Sequence, residues 1–437
     1  MNTHHLRRVG VAGTLLAAIG LSAPALATTE PPGTDPAGTE ATGTEPAGTE
    51  ATGTEVAGTE AAAGEGGDLR VWGWSSSEAE DNALTGLLDQ FAESSGISVT
   101  FEPQPDYDTT LQAALSGGDP PNFFYVDSLK LPDLAEAGAL AEPPEDAITD
   151  PDDIYESLRD AFTYDDTLWC PPKDFSTLAL FYNVDLLEAA GVDPPTNMEE
   201  LAAAAEALTS DGVAGLSFGA ELARVGPFLQ ANGGYVVDED VSEMTLDTDE
   251  NRETLQYLAD LFANGHAATP RSLEADWAGQ AFGQGKAAMV IEGNWLVGAL
   301  AQDFPDVNWG VVEMPEGSEG RSTYAFTVCY AVGAESDDPD LAWQAVDFLT
   351  GPEGAAAYTE AFNVMPARES LRDGWLANHP DLEPFLNGAD YALAWQFAPG
   401  FTDVTTEFNN QFEQLVAGQI DVDEFIEAVT EAGESVL

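Results

Sequence analysis

Between residues 69 and 127 the chain alternates strand-like and helix-like patterns, and that alternation constrains its fold more than any other feature. Residues 69–74, Leu-Arg-Val-Trp-Gly-Trp, read as a first strand. Leu84, Leu87, Leu88 and Phe91 then recur at helical spacing, which predicts a helix over 79–94 with an N-cap among the serines at 75–77. Gly96 ends that helix, and 97–102 alternates as a second strand. A short helix over 107–115 stops at Gly117-Gly118, and 122–127 is a third strand. This βαβαβ order implies a parallel α/β sheet whose ligands bind at the carboxyl ends of its strands.

Two later apolar runs look like passages between lobes. Pro171-Pro172 forces extended backbone before Lys173-Asp174, and 176–182 follows as one long β-prone run, a crossover into a second lobe. The run 324–333, YAFTVCYAVG, reads as the return. Between them, helices are expected at 184–190, 198–208 and 248–263, with strands at 216–219 and 308–314. Asn197 caps the second of these helices, and Glu200 completes a capping box. Asp338-Pro339 starts a helix that Gly351 ends, and the chain beyond Arg368 is mainly helical.

The N-terminus points to export. Arg7 and Arg8, the short apolar run 9–21 and Ala25-Leu26-Ala27 make residues 1–27 a cleavable signal peptide, with general and twin-arginine export both open. No cysteine precedes Cys170, so no lipid acceptor lies near the cleavage site. Residues 28–67 repeat PAGTEATGTE with no apolar face to bury, an acidic tether. About 370 residues remain, more than one core holds comfortably, which predicts two lobes. Acidic residues outnumber basic ones by 78 to 13, and the lysines are Lys130, Lys173 and Lys286 alone. Such a surface repels nucleic acid and anionic membranes. With no CxxC and only His266 and His379 beyond the signal peptide, neither a metal nor a cofactor is expected. Cys170 and Cys329 can oxidise outside the cytosol.

The block 277–295, WAGQAFGQGKAAMVIEGNW, carries the most chemistry. A short helical turn through Ala281 and Phe282 is broken by Gly283 and Gly285. A small apolar strand over 287–291 follows, and Glu292-Gly293-Asn294-Trp295 places a carboxylate and an indole at its mouth, where a helix runs to 302. An indole covers the C–H face of a sugar, and a carboxylate accepts from its hydroxyls.

The pattern F-x-x-G-K-A-A-M-x-I-x-G-x-W resembles the extracellular solute-binding proteins of sugar ABC importers, relatives of maltose-binding protein. DYDTTLQAALSGGDPP, FFYVDS, PKDFSTLALFYN and LTGPEG, in that order, extend the resemblance over 69–437. It implies a two-lobed periplasmic-binding-protein-like fold of type II with a ligand cleft at the hinge. The lobes would be discontinuous, 69–176 with 320–365 and 177–319 with 366–437. It also implies that Cys170 and Cys329 lie near the strands linking the lobes, and that a monomer delivers a neutral sugar or oligosaccharide to the transmembrane subunits of an ABC permease.

Carried over position by position, the family's site falls on Trp74 and Ser75 after the first strand, Tyr107 and Asp108 at the next loop, and Tyr125, Asp127 and Ser128 after the third strand. Asp174 lies at the hinge, and Trp277, Glu292, Trp295 and Trp395 come from the second lobe. Phe326 and Tyr330 read as core. A cationic ligand such as a polyamine is an alternative, since aromatic boxes with carboxylates also suit ammonium groups. A secreted carbohydrate-active enzyme would need two carboxyls at a defined separation, whereas the acids here are dispersed along the chain.

Overall fold

The computed structural model describes residues 68–437 apart from 76–77, 211, 239–240 and 363; the signal peptide, the repeat and part of the serine cap lie outside the described residues. The strands in chain order are β1 (Asp68–Gly73), β2 (Ser98–Pro103), β3 (Phe123–Asp127), β4 (Thr163–Tyr164), β5 (Thr167–Leu168), β6 (Pro172–Ser176) and β7 (Leu178–Asn183). They continue with β8 (Ala214–Ser217), β9 (Ala267–Ala268), β10 (Ala287–Gly293), β11 (Trp309–Val312), β12 (Thr323–Val332) and β13 (Ala392–Ala394). Two main sheets result, one ordered β13-β12-β3-β1-β2 with β6 also on β12, the other β11-β7-β10-β8-β9.

The first sheet begins as the βαβαβ order requires. β1 lies between β2 and β3, parallel to both. The helix Glu78–Ser95 packs Leu84, Leu87, Leu88 and Phe91 into a buried cluster with Val71, Phe123 and Val332. Gly96, at φ 76°, turns the chain out of that helix, a conformation glycine adopts without steric cost. The sheet is mixed rather than wholly parallel, because β12 runs antiparallel to both β3 and β6. Ala392–Ala394, in the stretch read as second lobe, pairs in parallel with the first residues of β12.

The continuous strand expected over 176–182 is two strands belonging to different sheets. Ser176 ends β6 in the first sheet, and Leu178 begins β7 in the second. Thr177 marks the break: its hydroxyl donates to the carbonyl of Phe385 at 2.6 Å, while the amide of Leu178 donates to Thr323 Oγ1 at 2.9 Å. The junction falls at Ser176-Thr177, two small polar residues that a strand tolerates, so the sequence pattern does not place it.

The capping box at Asn197 also differs. The Asn197 side chain accepts from the Glu200 amide, but the Glu200 carboxylate turns to the amide and hydroxyl of Thr196. Of the two glycines expected to break the turn before β10, only Gly285 has a positive φ, 71°; Gly283 closes the helix Ala278–Gly283. A helix over Leu222–Ala231 has no counterpart in the sequence expectations, since Gly226 and Pro227 sit inside it.

A disulfide joins Cys170 to Cys329, with Cα atoms 5.6 Å apart and 159 positions between them. It fixes the start of β6 to β12 inside the first core. The register of this strand pair slips at the same place, Val328 facing Asp174 and Cys329 facing Pro172, which leaves Lys173 as an extra residue. Such a bulge re-aims a side chain. Among the described residues no helix is long and apolar enough to cross a membrane.

Candidate functional site

Three parallel strands of the second sheet, β8, β9 and β10, end on one side, and the residues that follow them line a cavity of about 910 Å³. Glu221 and Arg224 come from the turn and helix after β8, Trp277 from the start of Ala278–Gly283, and Glu292 and Trp295 from the end of β10. Asn409, Asn410 and Glu413 on the helix Phe401–Val416 form the facing wall. Carboxyl ends of parallel strands are where α/β sheets bind ligands. Both indoles face the same space, and Trp295, at 39% exposure, is the most open large aromatic among the described residues.

Glu292 plays a different part from the hydroxyl acceptor expected of it. It is 3% exposed, and its Oε2 accepts both from Arg224 Nη2 at 2.8 Å and from Trp295 Nε1 at 3.1 Å. Burial raises the Glu292 carboxyl above its ordinary value, and Arg224 pulls it partway back. Arg224 also pairs with Glu221 at 2.8 Å. Its guanidinium carbon lies 5.6 Å from the Trp295 ring centre and 5.9 Å from that of Phe326. A half-open indole is thus held by a cation, a carboxylate and the edge of Phe326, 5.7 Å away. The carboxylates nearer solvent around the cavity are Glu221, Asp276 and Glu413.

Trp395 extends this cluster without opening it. Its ring is 4.6 Å from Tyr324 and 6.1 Å from Phe326, and it is 7% exposed. Ser128, buried at the end of β3, donates to the Trp395 carbonyl at 2.7 Å, so a first-sheet loop is tied to this aromatic cluster.

On the first-sheet side the predicted residues divide. Trp74 is half-buried, with Tyr107 and Tyr125 edge-on to it at 5.3 and 5.2 Å. Both tyrosines are buried, the Tyr107 hydroxyl donates to the Tyr125 carbonyl, and they serve to hold Trp74. Ser75 is exposed and donates to Asp81 at 2.7 Å. Asp127 accepts from the Leu129 amide at 2.9 Å, an Asx turn opening the short helix Ser128–Lys130. Asp108 pairs with Lys130 on the rim of a separate cavity of about 580 Å³.

Asp174 lies against Lys173, the residue the bulge turns inward. The Lys173 ammonium also reaches Glu80 at 2.9 Å and sits 5.3 and 5.2 Å from the rings of Tyr125 and Tyr358. Burial works against its charge, but Asp174, Tyr125 and Glu80 hold its pKa well above the ordinary lysine value. Among the described residues no group of His, Cys, Asp and Glu is placed to hold a metal ion.

Sequence inspection missed Arg224, Glu221 and the wall at 409–413. Arg224 lies in a helix that its own proline disguises, and the wall comes from a helix far along the chain whose phenylalanines all pack into the core.

Residues 75–356 match the bacterial extracellular solute-binding protein family, and the chain belongs to that family. A binding protein of Brucella abortus (strain 2308) is 24% identical over 361 residues, spanning 79% of this chain and 87% of the relative. Among solved structures, an ABC substrate-binding protein of Listeria monocytogenes in complex with cycloalternan is similar at TM-score 0.74 and 24% identity, over 85% of this chain and 99% of that one. The GacH receptor of Streptomyces glaucescens, solved unliganded and in complex with acarbose, is similar at TM-score 0.75 and 25% identity, over 85% of this chain and 98% of that one. The fold is the two-lobed type II architecture of such binding proteins.

Proposed function

We propose that this protein captures a neutral sugar or oligosaccharide outside the membrane and passes it unaltered to the transmembrane subunits of an ABC importer. The observation that carries this is the pair of indoles, Trp277 and Trp295, on one cavity of about 910 Å³ at the carboxyl ends of parallel strands. That volume suits an oligosaccharide, and flat aromatics with polar groups between them suit its alternating C–H faces and hydroxyls. Sugar-like ligands in the similar Listeria and Streptomyces proteins support the same class. We take the protein to be an exported monomer with discontinuous lobes, 69–176 with 320–365 and 177–319 with 366–437. The ligand would settle on one lobe and draw in groups from the other, Trp74 and Asp174 among them, shifting an open population toward a closed one.

A cationic ligand fits less well. The place over Trp295 that an ammonium would take already holds the guanidinium of Arg224, and the nearest buried carboxylate is neutralised by it. A thermal-shift comparison of maltotetraose, other oligosaccharides and spermidine against the mature protein tests the reading. A sugar should raise the melting temperature by mass action, and Trp295→Ala should remove that rise while leaving the ligand-free melting temperature in place. A rise with spermidine alone would overturn it.

A further inference from the structure

Gly293 is the last residue of β10 and pairs with Leu178 across the sheet. It is not among the glycines of positive φ, so its φ does not itself demand glycine. What excludes a side chain is Trp295: a β-carbon at 293 would overlap Cζ3, Cη2 and Cε3 of its indole. The indole is folded back over the strand end, its six-membered ring on the bare Cα. In that pose its Nε1–H meets Glu292 Oε2 at 3.1 Å and Arg224 stands 5.6 Å from its centre. The arrangement recurs at Trp277, whose ring fills the space a β-carbon at Gly279 would need.

We propose that Gly293 is a positioning residue that sets the pose of Trp295, and through it the ligands the cavity accepts. This rests on the sugar-binding reading for its consequence, though the seat itself can be measured without ligand. The three atoms nearest a methyl group at 293 all belong to the far end of one side chain, which can swing away, so the substitution should displace the indole and leave the strand intact. Once lifted, the ring loses the bond to Glu292 and its place beside Arg224. Gly279 is the poorer test, because a β-carbon there also lies 2.7 Å from Leu296 Cδ1.

The experiment compares the parent, Gly293→Ala, Trp295→Ala and the double variant, with Trp295→Phe counterparts of the first two to isolate the Trp295 emission by difference. In the ligand-free protein, Gly293→Ala should make Trp295 more readily quenched by acrylamide, with the melting temperature unchanged within about 2 °C. Titration with maltotetraose should then show roughly tenfold weaker binding for Gly293→Ala, with the double variant no weaker than Trp295→Ala. Unchanged quenching, or losses that add in the double variant, would overturn the proposal. Should the parent bind no oligosaccharide, the sugar reading falls while the quenching comparison still decides whether Gly293 seats the indole.

Discussion

The ammonium of Lys173 lies 2.9 Å from the carboxylate of Glu80, a residue 93 positions earlier in the first long helix, and both are almost wholly buried. Asp174 shares the same ammonium, so one cation serves two carboxylates beneath the aromatic rings of Tyr125 and Tyr358. Removing the cation would leave two largely buried carboxylates without their shared counter-charge, the Tyr358 hydroxyl that donates to Glu80 being neutral. Lys173→Ala should therefore lower stability by about 3–5 kcal/mol in urea unfolding. A loss under about 1 kcal/mol would mean that water reaches the cluster.

Glu292 is the corresponding keystone of the second sheet. Glu292→Ala leaves Arg224 buried without its innermost partner and the Trp295 Nε1–H without an acceptor. A stability loss of about 3 kcal/mol is expected, together with weaker oligosaccharide binding. Arg224→Lys keeps the charge but gives up the planar fork, so it should weaken binding more than it lowers the melting temperature. Calorimetric titration beside thermal unfolding separates the two.

Asp127 predicts a pH dependence. Burial raises its carboxyl above the ordinary value, against the Leu129 amide and Lys130, which lower it. The folded state thus holds this proton to higher pH than the unfolded state does. Its contribution is favourable at low pH and is lost as pH rises through the folded value. Asp127→Asn keeps an acceptor for Leu129 and cannot ionise. The variant should gain stability relative to the parent as pH climbs out of the ordinary carboxylate range, the gain levelling off above the folded value. Urea unfolding at a series of pH values checks this, and a constant difference would contradict it.

The Cys170–Cys329 bond closes a loop of 159 positions. Loop-closure entropy makes such a link worth about 4–5 kcal/mol, less any structure that the reduced, unfolded chain retains. The double variant Cys170→Ser, Cys329→Ser should unfold at markedly lower urea, measured by circular dichroism.

Much of this architecture is legible in the sequence where local pattern and tertiary role agree. The first strand, its helix and the next two strands stand within two residues of their expected limits, because turn residues bound each apolar pattern, whether it buries one face or, as in Phe123–Asp127, both. Helices Val184–Ala190 and Met198–Leu208 match their expected bounds, set by side-chain caps at Asn183 and Asn197 and by the left-handed Gly191. The aromatic cavity is legible through Trp277 and Trp295, since indoles beside glycines lie outside any apolar stripe. What escapes notice depends on distant partners. Arg224 acquires its role only from Glu292, 68 residues later, and the break at Thr177 only from Phe385, 208 residues later. Tyr107 and Tyr125 look like ligand contacts by position, yet they prop Trp74 from behind.

Thr177 is the whole connection between β6 and β7. One residue reaches about 3.5 Å, so the first and second sheets cannot drift apart at this point. With its hydroxyl fastened to Phe385 and its neighbour's amide to Thr323, the joint can swivel but has no slack to stretch. Any gape between the halves must therefore be a pivoting about this short stitch, largest at the far rim and least beside Ser176 and Asn294, which touch across it.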